Sequence, residues 1–391
     1  MKIKIKVDYK LNNLDLENLE NGLSFFHLKN VCWEYDELNS YIIVEILEEN
    51  EIKQIEEKFQ IVLDKIKPFD ENEKIEILFN NLKVNPICST DIFSQLLERG
   101  EVFQYEPGIF SFSGFFLRII NTLDKKFKEF SKTQNAQEVQ LPITTPLSDL
   151  QKSEFFKRTP QFAQFISLMP DSAQEISDFS SSIEHGEIKK EMCSLLRPPK
   201  HMCRSAVCLS SYPRYKNKIV KSGEDFCLTT MGKNFRNESV NVVSLERLYE
   251  FSMREIIYFG SSEFVNSKLE ECIGWFKEFL TLHSLKSVIQ VANDPFFIDN
   301  LQALQYYQRS QKTKYEVRLI NPFSHKEISC GSINNHGTHF SKSFNIKHEN
   351  GDYLTTGCVG LGLERMAFLI LCQHGLNQEK WPKSLREYFQ L

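Results

Sequence analysis

No apolar run in this chain reaches the roughly 20 residues that a membrane-spanning helix needs. The opening stretch, Met1-Lys2-Ile3-Lys4-Ile5-Lys6-Val7, alternates as a strand does and has no apolar block of the signal-peptide kind. A basic excess is also missing. The net charge of −5 argues against the broad positive field of a nucleic-acid binder. The ten cysteines contain no CxxC pair, and without a secretion signal they imply a reducing cytoplasm, mostly buried thiols and a metal ligand or two. There is no Walker-type loop and no GxGxxG ahead of a helix, so a nucleotide would have to be held in another way. Low-complexity tracts and internal repeats are absent too. What is there is a globular composition, 41% apolar and 25% charged, over 391 residues, a length suited to two or three domains.

Residues 1–88 read as a separate α+β module. Lys2 to Val7 and Tyr41 to Leu47 alternate as strands, and apolar positions 52, 55, 59, 62, 63 and 66 give helical periodicity between Glu49 and Lys67. Through residue 90 there are 11 Lys plus Arg against 18 Asp plus Glu, a net −7, so this module is suited to docking or packing rather than to gripping phosphates. Ser89-Thr90-Asp91 is a helix-start signal that opens a second unit, 89–391. An amphipathic helix follows from Gly114 to Lys132, leading into the strand Val139-Gln140-Leu141-Pro142. Residues 148–200 mix helix and loop, broken at Ser180-Ser181-Ser182 and Pro198-Pro199. Short strands are then expected at 206–209, 225–230, 251–259, 287–292, 315–320, 326–332 and 354–360, with one long helix from Ser262 to Leu282. The fold class is α+β: a mostly antiparallel sheet flanked by helices, with a small N-terminal α+β domain.

The most telling stretch is Thr356-Gly357-Cys358-Val359-Gly360-Leu361-Gly362-Leu363-Glu364-Arg365, which runs into the apolar Met366 to Leu371. Its glycines read as a strand whose backbone something approaches closely, and the apolar run as a buried helix. Arg365 at the junction needs an anionic partner, either a structural carboxylate or a ligand. A second piece, Asn234-Phe235-Arg236-Asn237-Glu238 followed by Arg247-Leu248-Tyr249-Glu250-Phe251-Ser252-Met253-Arg254-Glu255, reads as an antiparallel hairpin with Arg236 and Glu238 on one face. Taken alone, a charged hairpin is a solvated edge. The third piece, Lys326 to His336, is a strand running into a polar turn, and the fourth, Asn293-Asp294-Pro295-Phe296, is a turn after an apolar strand. His336 and His339 fall in a loop-like segment and read as surface or supporting residues rather than ligands.

In this order, these pieces resemble the class II aminoacyl-tRNA synthetase core. Phe235-Arg236-Asn237-Glu238 looks like its second motif, Gly360-Leu361-Gly362-Leu363-Glu364-Arg365 its third, and the helix ending at Pro142 sits where the first, dimer-forming motif belongs. The resemblance is nearest to the truncated seryl-tRNA synthetase homologues known as amino acid:[carrier protein] ligases. It is carried by Ser153-Glu154-Phe155-Phe156-Lys157, Phe251 to Ile256, Asp294-Pro295-Phe296-Phe297, Gly331-Ser332-Ile333-Asn334-Asn335-His336 and Gly357-Cys358-Val359. It covers about residues 90–391.

The resemblance implies ATP-dependent activation of an amino acid, first tested as a small one, to an aminoacyl adenylate. The acyl group then passes to the phosphopantetheine thiol of a carrier protein. It implies one Zn²⁺ on Cys208, Glu255 and Cys358, with an open position for the substrate amino group. Arg236 would contact the α-phosphate and the substrate carboxylate, Arg365 the γ-phosphate end, and Arg247 the bent triphosphate. Phe251 would stack on adenine, Glu238 would accept from its amine, Glu327 and Ser332 would carry Mg²⁺, and Asn334 would touch the amino acid. A cytoplasmic homodimer with no membrane attachment and no tRNA partner is expected. One departure stands out: where the family reads Asp-Phe-Phe-Gly after the histidine, this chain has Thr338-His339-Phe340-Ser341. The alternatives are a zinc-dependent seryl-tRNA synthetase, or a non-catalytic paralogue that binds an amino acid or a carrier protein.

Overall fold

A computed structural model describes residues 2–11, 13–23, 32–45, 52–66, 75–183, 188–221, 223–237, 244–292 and 311–391. Glu238 and the Asp294-Pro295-Phe296-Phe297 turn lie outside these residues, as do Ile46 and Leu47.

The N-terminal module is a three-stranded antiparallel sheet, Lys2–Lys6, Tyr41–Glu45 and Cys32–Asp36, with the second strand central. Helices Asn13–Leu23 and Ile52–Ile66 accompany it. Alternation in Tyr41–Glu45 buries Ile42 and Val44, and these join Leu19, Phe59 and Val62 in a core drawn wholly from this module. Trp33 packs edge-on to Phe59 there.

The larger body is built on an eight-stranded sheet in the order Ile77–Asn80, Ser287–Val291, Lys314–Ile320, Glu327–Gly337, Thr355–Gly362, Glu250–Gly260, Phe226–Phe235 and Gln137–Glu138. Every pairing is antiparallel except the last. The sheet takes an edge strand from residues 77–80, upstream of the boundary read at 88. That strand covers the ladder that Ser287–Val291 would otherwise leave bare.

Helices Gly114–Thr133, Ser262–Leu282 and Leu363–His374 pack on one face of the sheet. Ser261 caps the second of these by accepting from the Phe264 N–H at 3.1 Å. The last is apolar all round, and every residue from Met366 to His374 is buried. Each fully buried Leu or Phe there contributes roughly 1.5–3 kcal/mol. Arg254 clamps the sheet to Gly114–Thr133 through a two-pronged bond to Asp124, the longer arm 3.0 Å.

Three local expectations change. Val139–Pro142 is not a strand, because Arg204 Nη1 takes the carbonyls of Leu141 and Pro142 at 3.1 and 2.9 Å. Residues 206–209 form a 3-10 turn, Val207–Ser210, rather than a strand. The strands expected to end at 230 and 332 continue to Phe235 and Gly337.

Candidate active site

Strand register assembles the site. On the face opposite the three helices, one row of paired residues runs Thr230, Glu255, Gly360, Ser332, Glu316. The next row is Leu228, Ile257, Cys358, Asn334, Lys314. Glu255 and Cys358 are therefore diagonal neighbours on one face, since paired residues point the same way. Cys208 arrives from the 3-10 turn. The ligand atoms of Cys208, Glu255 and Cys358 all lie within 4.8 Å of one another, and all three residues are buried.

The turn explains how Glu255 is held. Its carboxylate accepts the N–H of Cys208 at 2.9 Å and of Val207 at 3.2 Å. Burial, reinforced by Cys358, still pushes the Glu255 carboxyl up to about 8, against the pull of those N–H groups and the Cys208 thiol. The closeness of the two sulfurs is the first reason that Cys208 is raised and that Cys358 is lowered well below the usual thiol range. Two further donors reach the Cys358 sulfur, Asn334 Nδ2 at 3.6 Å and the His336 ring at 3.7 Å. Two thiols and a carboxyl crowded in a buried space are costly to ionise together unless a cation shares them. The three side chains could hold a thiophilic divalent ion.

The other expected residues gather at one end of the same strands. Arg236 follows the 226–235 strand and Phe251 pairs with Asn234. The Arg236 guanidinium lies over two rings, 5.0 Å from Phe162 and 5.2 Å from Phe251, while its Nε donates to the Ser205 carbonyl at 3.0 Å. Arg365 Nη1 donates to the Ser329 carbonyl at 2.7 Å. The preceding Glu364 reaches the opposite neighbouring strand, accepting the Ser252 N–H at 2.8 Å. Consecutive residues thus fasten the start of the buried helix to the strands on either side. Arg247 lies 3.6 Å from Glu20 of the N-terminal module, and Lys326 lies 3.7 Å from the same carboxylate. Glu327 begins its strand at this end as well. Ser332 accepts from Asn334 at 3.2 Å.

The departing segment has a definite job. His339 begins the short helix His339–Phe344, with Nδ1 3.1 Å from Arg158 and Nε2 3.1 Å from the Ser153 carbonyl. Because guanidinium only donates, Nδ1 accepts and Nε2 carries the proton. The histidine ties the Ser153 to Arg158 segment to the site wall.

Sequence reasoning missed Arg204, Tyr212 and Phe162. Arg204 is almost fully buried over Gly232, where an added Cβ would come within 1.8 Å of its Nη2. A lone glycine in an otherwise bulky strand was the available signal. Tyr212 is fully buried and stacks on Phe340 at 4.0 Å. Its hydroxyl is kept protonated by burial and then by the charges of Cys208, Cys358 and Glu255.

Residues 203–374 match the family model described as the tRNA synthetase class II core domain (G, H, P, S and T). With the sheet order above, the chain has the class II synthetase fold, a central, mostly antiparallel sheet flanked by helices. Among curated proteins, the chain is 26% identical over 270 residues to a Type-2 serine--tRNA ligase of Methanocaldococcus jannaschii, covering 66% of this chain and 51% of that protein. It is 25% identical over 257 residues to Amino acid--[acyl-carrier-protein] ligase 1 of Bradyrhizobium diazoefficiens, covering 65% of this chain and 77% of that one. The match thus spans about half the length of the Type-2 enzymes. Among solved structures, M. kandleri SerRS in complex with A. aeolicus tRNASec superposes with a TM-score of 0.72 at 19% identity, over 100% of this chain and 77% of that one. No helix among the described residues is long and apolar enough to cross a membrane.

Proposed function

We propose that this protein activates an amino acid with ATP as the aminoacyl adenylate and passes the acyl group to the phosphopantetheine thiol of a carrier protein. The observation that carries the reading is the meeting of Cys208, Glu255 and Cys358 on the sheet face that also presents Phe251 and Arg236. The donor set suits zinc, with three protein ligands and an open position. Bound there, zinc would take a free α-amino group and so favour amino acids over hydroxy acids and fatty acids.

The chain's own residues do the rest. Arg236, anchored by the Ser205 carbonyl, neutralises charge on the α-phosphate as the substrate carboxylate attacks phosphorus and pyrophosphate leaves. Arg247 and Arg365 would meet the departing phosphates, and Glu327 and Ser332 would hold Mg²⁺, which would offset their charge. Phe251 offers a ring to adenine. Two buried polar side chains on this face, Thr230 and Asn234, have no hydrogen-bond partner among the described residues, as expected of groups that meet a ligand. In the second step a thiol, already partly ionised near neutral pH, attacks the acyl carbon and releases AMP. The helix Gly114–Thr133 suits a dimer contact, which light scattering would test.

A second reading, transfer of serine to tRNA, is favoured by the Type-2 serine--tRNA ligases among the relatives. Amino-acid-dependent pyrophosphate exchange tests activation, and labelled product on a phosphopantetheinylated carrier protein or on tRNA separates the acceptors. No exchange with any amino acid in the presence of zinc would overturn both.

A further inference from the structure

Beside the three ligand-bearing side chains lies a second layer that neither reading uses. Tyr212, on the chain just after the Cys208 turn, places its hydroxyl 3.2 Å from His336 Nδ1. The other ring nitrogen, Nε2, is 3.7 Å from the Cys358 sulfur. A phenol that donates to Nδ1 leaves the ring proton on Nε2, facing the sulfur, and this is the arrangement in which the two side chains act in series. His336 is fixed on its flanks as well, edge-on to Phe340 at 4.9 Å, while Phe340 stacks on Tyr212. The ring therefore has little freedom to turn. It is not itself one of the three groups that crowd together, so it acts on the sulfur rather than as a ligand in its own right.

We propose that Tyr212 and His336 form a relay of positioning residues that orients the Cys358 sulfur and tempers its electron donation to a bound metal ion. The inference rests on the metal reading given under the proposed function. An N–H···S bond draws density from a metal-bound thiolate and fixes which lone pair faces the ion. Groups that hold metal ligands in this way typically change affinity by about 10–100-fold when removed. Asn334 Nδ2 supplies a second N–H to the same sulfur at 3.6 Å, whereas no N–H donor reaches Cys208 Sγ among the described bonds. Cys358, met by Asn334 and His336, is the sulfur on which the relay acts.

The test uses the full chain, stripped with a chelator and titrated with Co²⁺, reading the thiolate-to-cobalt charge-transfer band and the affinity by competition with a chromophoric chelator. Cys208→Ser and Cys358→Ser locate the band. His336→Ala is expected to shift the band and weaken cobalt binding at least tenfold, and His336→Gln, which keeps an N–H donor, to restore most of the loss. Tyr212→Phe keeps the stacked ring and removes only the hydroxyl. It is expected to move the band in the same direction by less, with the melting temperature retained. If wild type gives the band and both His336→Ala and Tyr212→Phe match it in position and affinity, the relay is overturned while the metal reading stands. A wild-type protein with no thiolate band overturns the metal reading, and the relay with it.

Discussion

Glu255 sits directly across the strand pair from Gly360, so the carboxylate stands over a position with no side chain. A Cβ at 360 would lie 2.6 Å from Met253 Cε and 3.5 Å from Glu255 Cγ. The Met253 tip is flexible and can yield, so Gly360→Ala should fall at the low end of small-to-large changes, about 1 kcal/mol of stability. The displaced Met253 tip, two residues from Glu255 on the same face, alters the space beside the carboxylate. Thermal melts are expected to change little while the amino-acid KM in pyrophosphate exchange rises severalfold. A variant with unchanged KM would show that the space over Gly360 is not used.

Thr230 pairs with Glu255 on its other side, and its buried hydroxyl lacks a partner among the described residues. Replacing such a group with an isosteric apolar one removes an unmet desolvation cost, of order 1 kcal/mol. Thr230→Val should therefore raise the melting temperature and lower the exchange rate together. Stabilisation with full activity would mean the hydroxyl faces no ligand.

Glu20 lies within salt-bridge reach of both Arg247 and Lys326. If Arg247 holds the triphosphate, Glu20 competes with ATP for it. Glu20→Gln should lower the KM for ATP by roughly threefold with kcat unchanged, the scale of a partly exposed ion pair. A raised KM would instead make Glu20 a support for the arginine.

Burial is the main reason that His283, His339 and His374 are each held down from 6.5 to about 4. Between those values the unfolded chain binds more protons than the folded one. The stability they confer is complete above the unfolded value of 6.5 and drains away as pH falls toward 4. Each accounts for up to about 3 kcal/mol. Urea midpoints should drop between about pH 7 and pH 5, and His374→Gln should flatten that slope. A midpoint that holds steady or rises on acidification would contradict the assignment.

Elements with strong local signals were legible: the helix Ser262–Leu282 has its cap and its periodic apolar face written into adjacent residues. Strands of the large sheet were legible by their apolar runs, with ends off by a few residues. The Cys208 segment was not. Ala206-Val207-Cys208-Leu209 has the apolar density of a strand, and the carboxylate that turns its N–H groups lies 47 residues away. Strand Arg197–Cys203 was hidden by Pro198-Pro199, which sit where the pairing register shifts and no N–H is required. For the site, family resemblance named the ligand-bearing residues, but composition and spacing could not. Arg204, Tyr212 and Phe162 carry no local pattern at all, since their roles exist only across the folded sheet.

The pairing of Glu250–Gly260 with Thr355–Gly362 does more than join two strands. Side chains alternate, so a slip of one residue would turn Cys358 toward the helices and leave Glu255 facing a stranger. A misaligned chain could bury nearly as much oil yet would scatter the Cys208, Glu255 and Cys358 cluster. On the proposed metal reading, capture of an ion would act as a check on correct alignment, made after the sheet has closed rather than before.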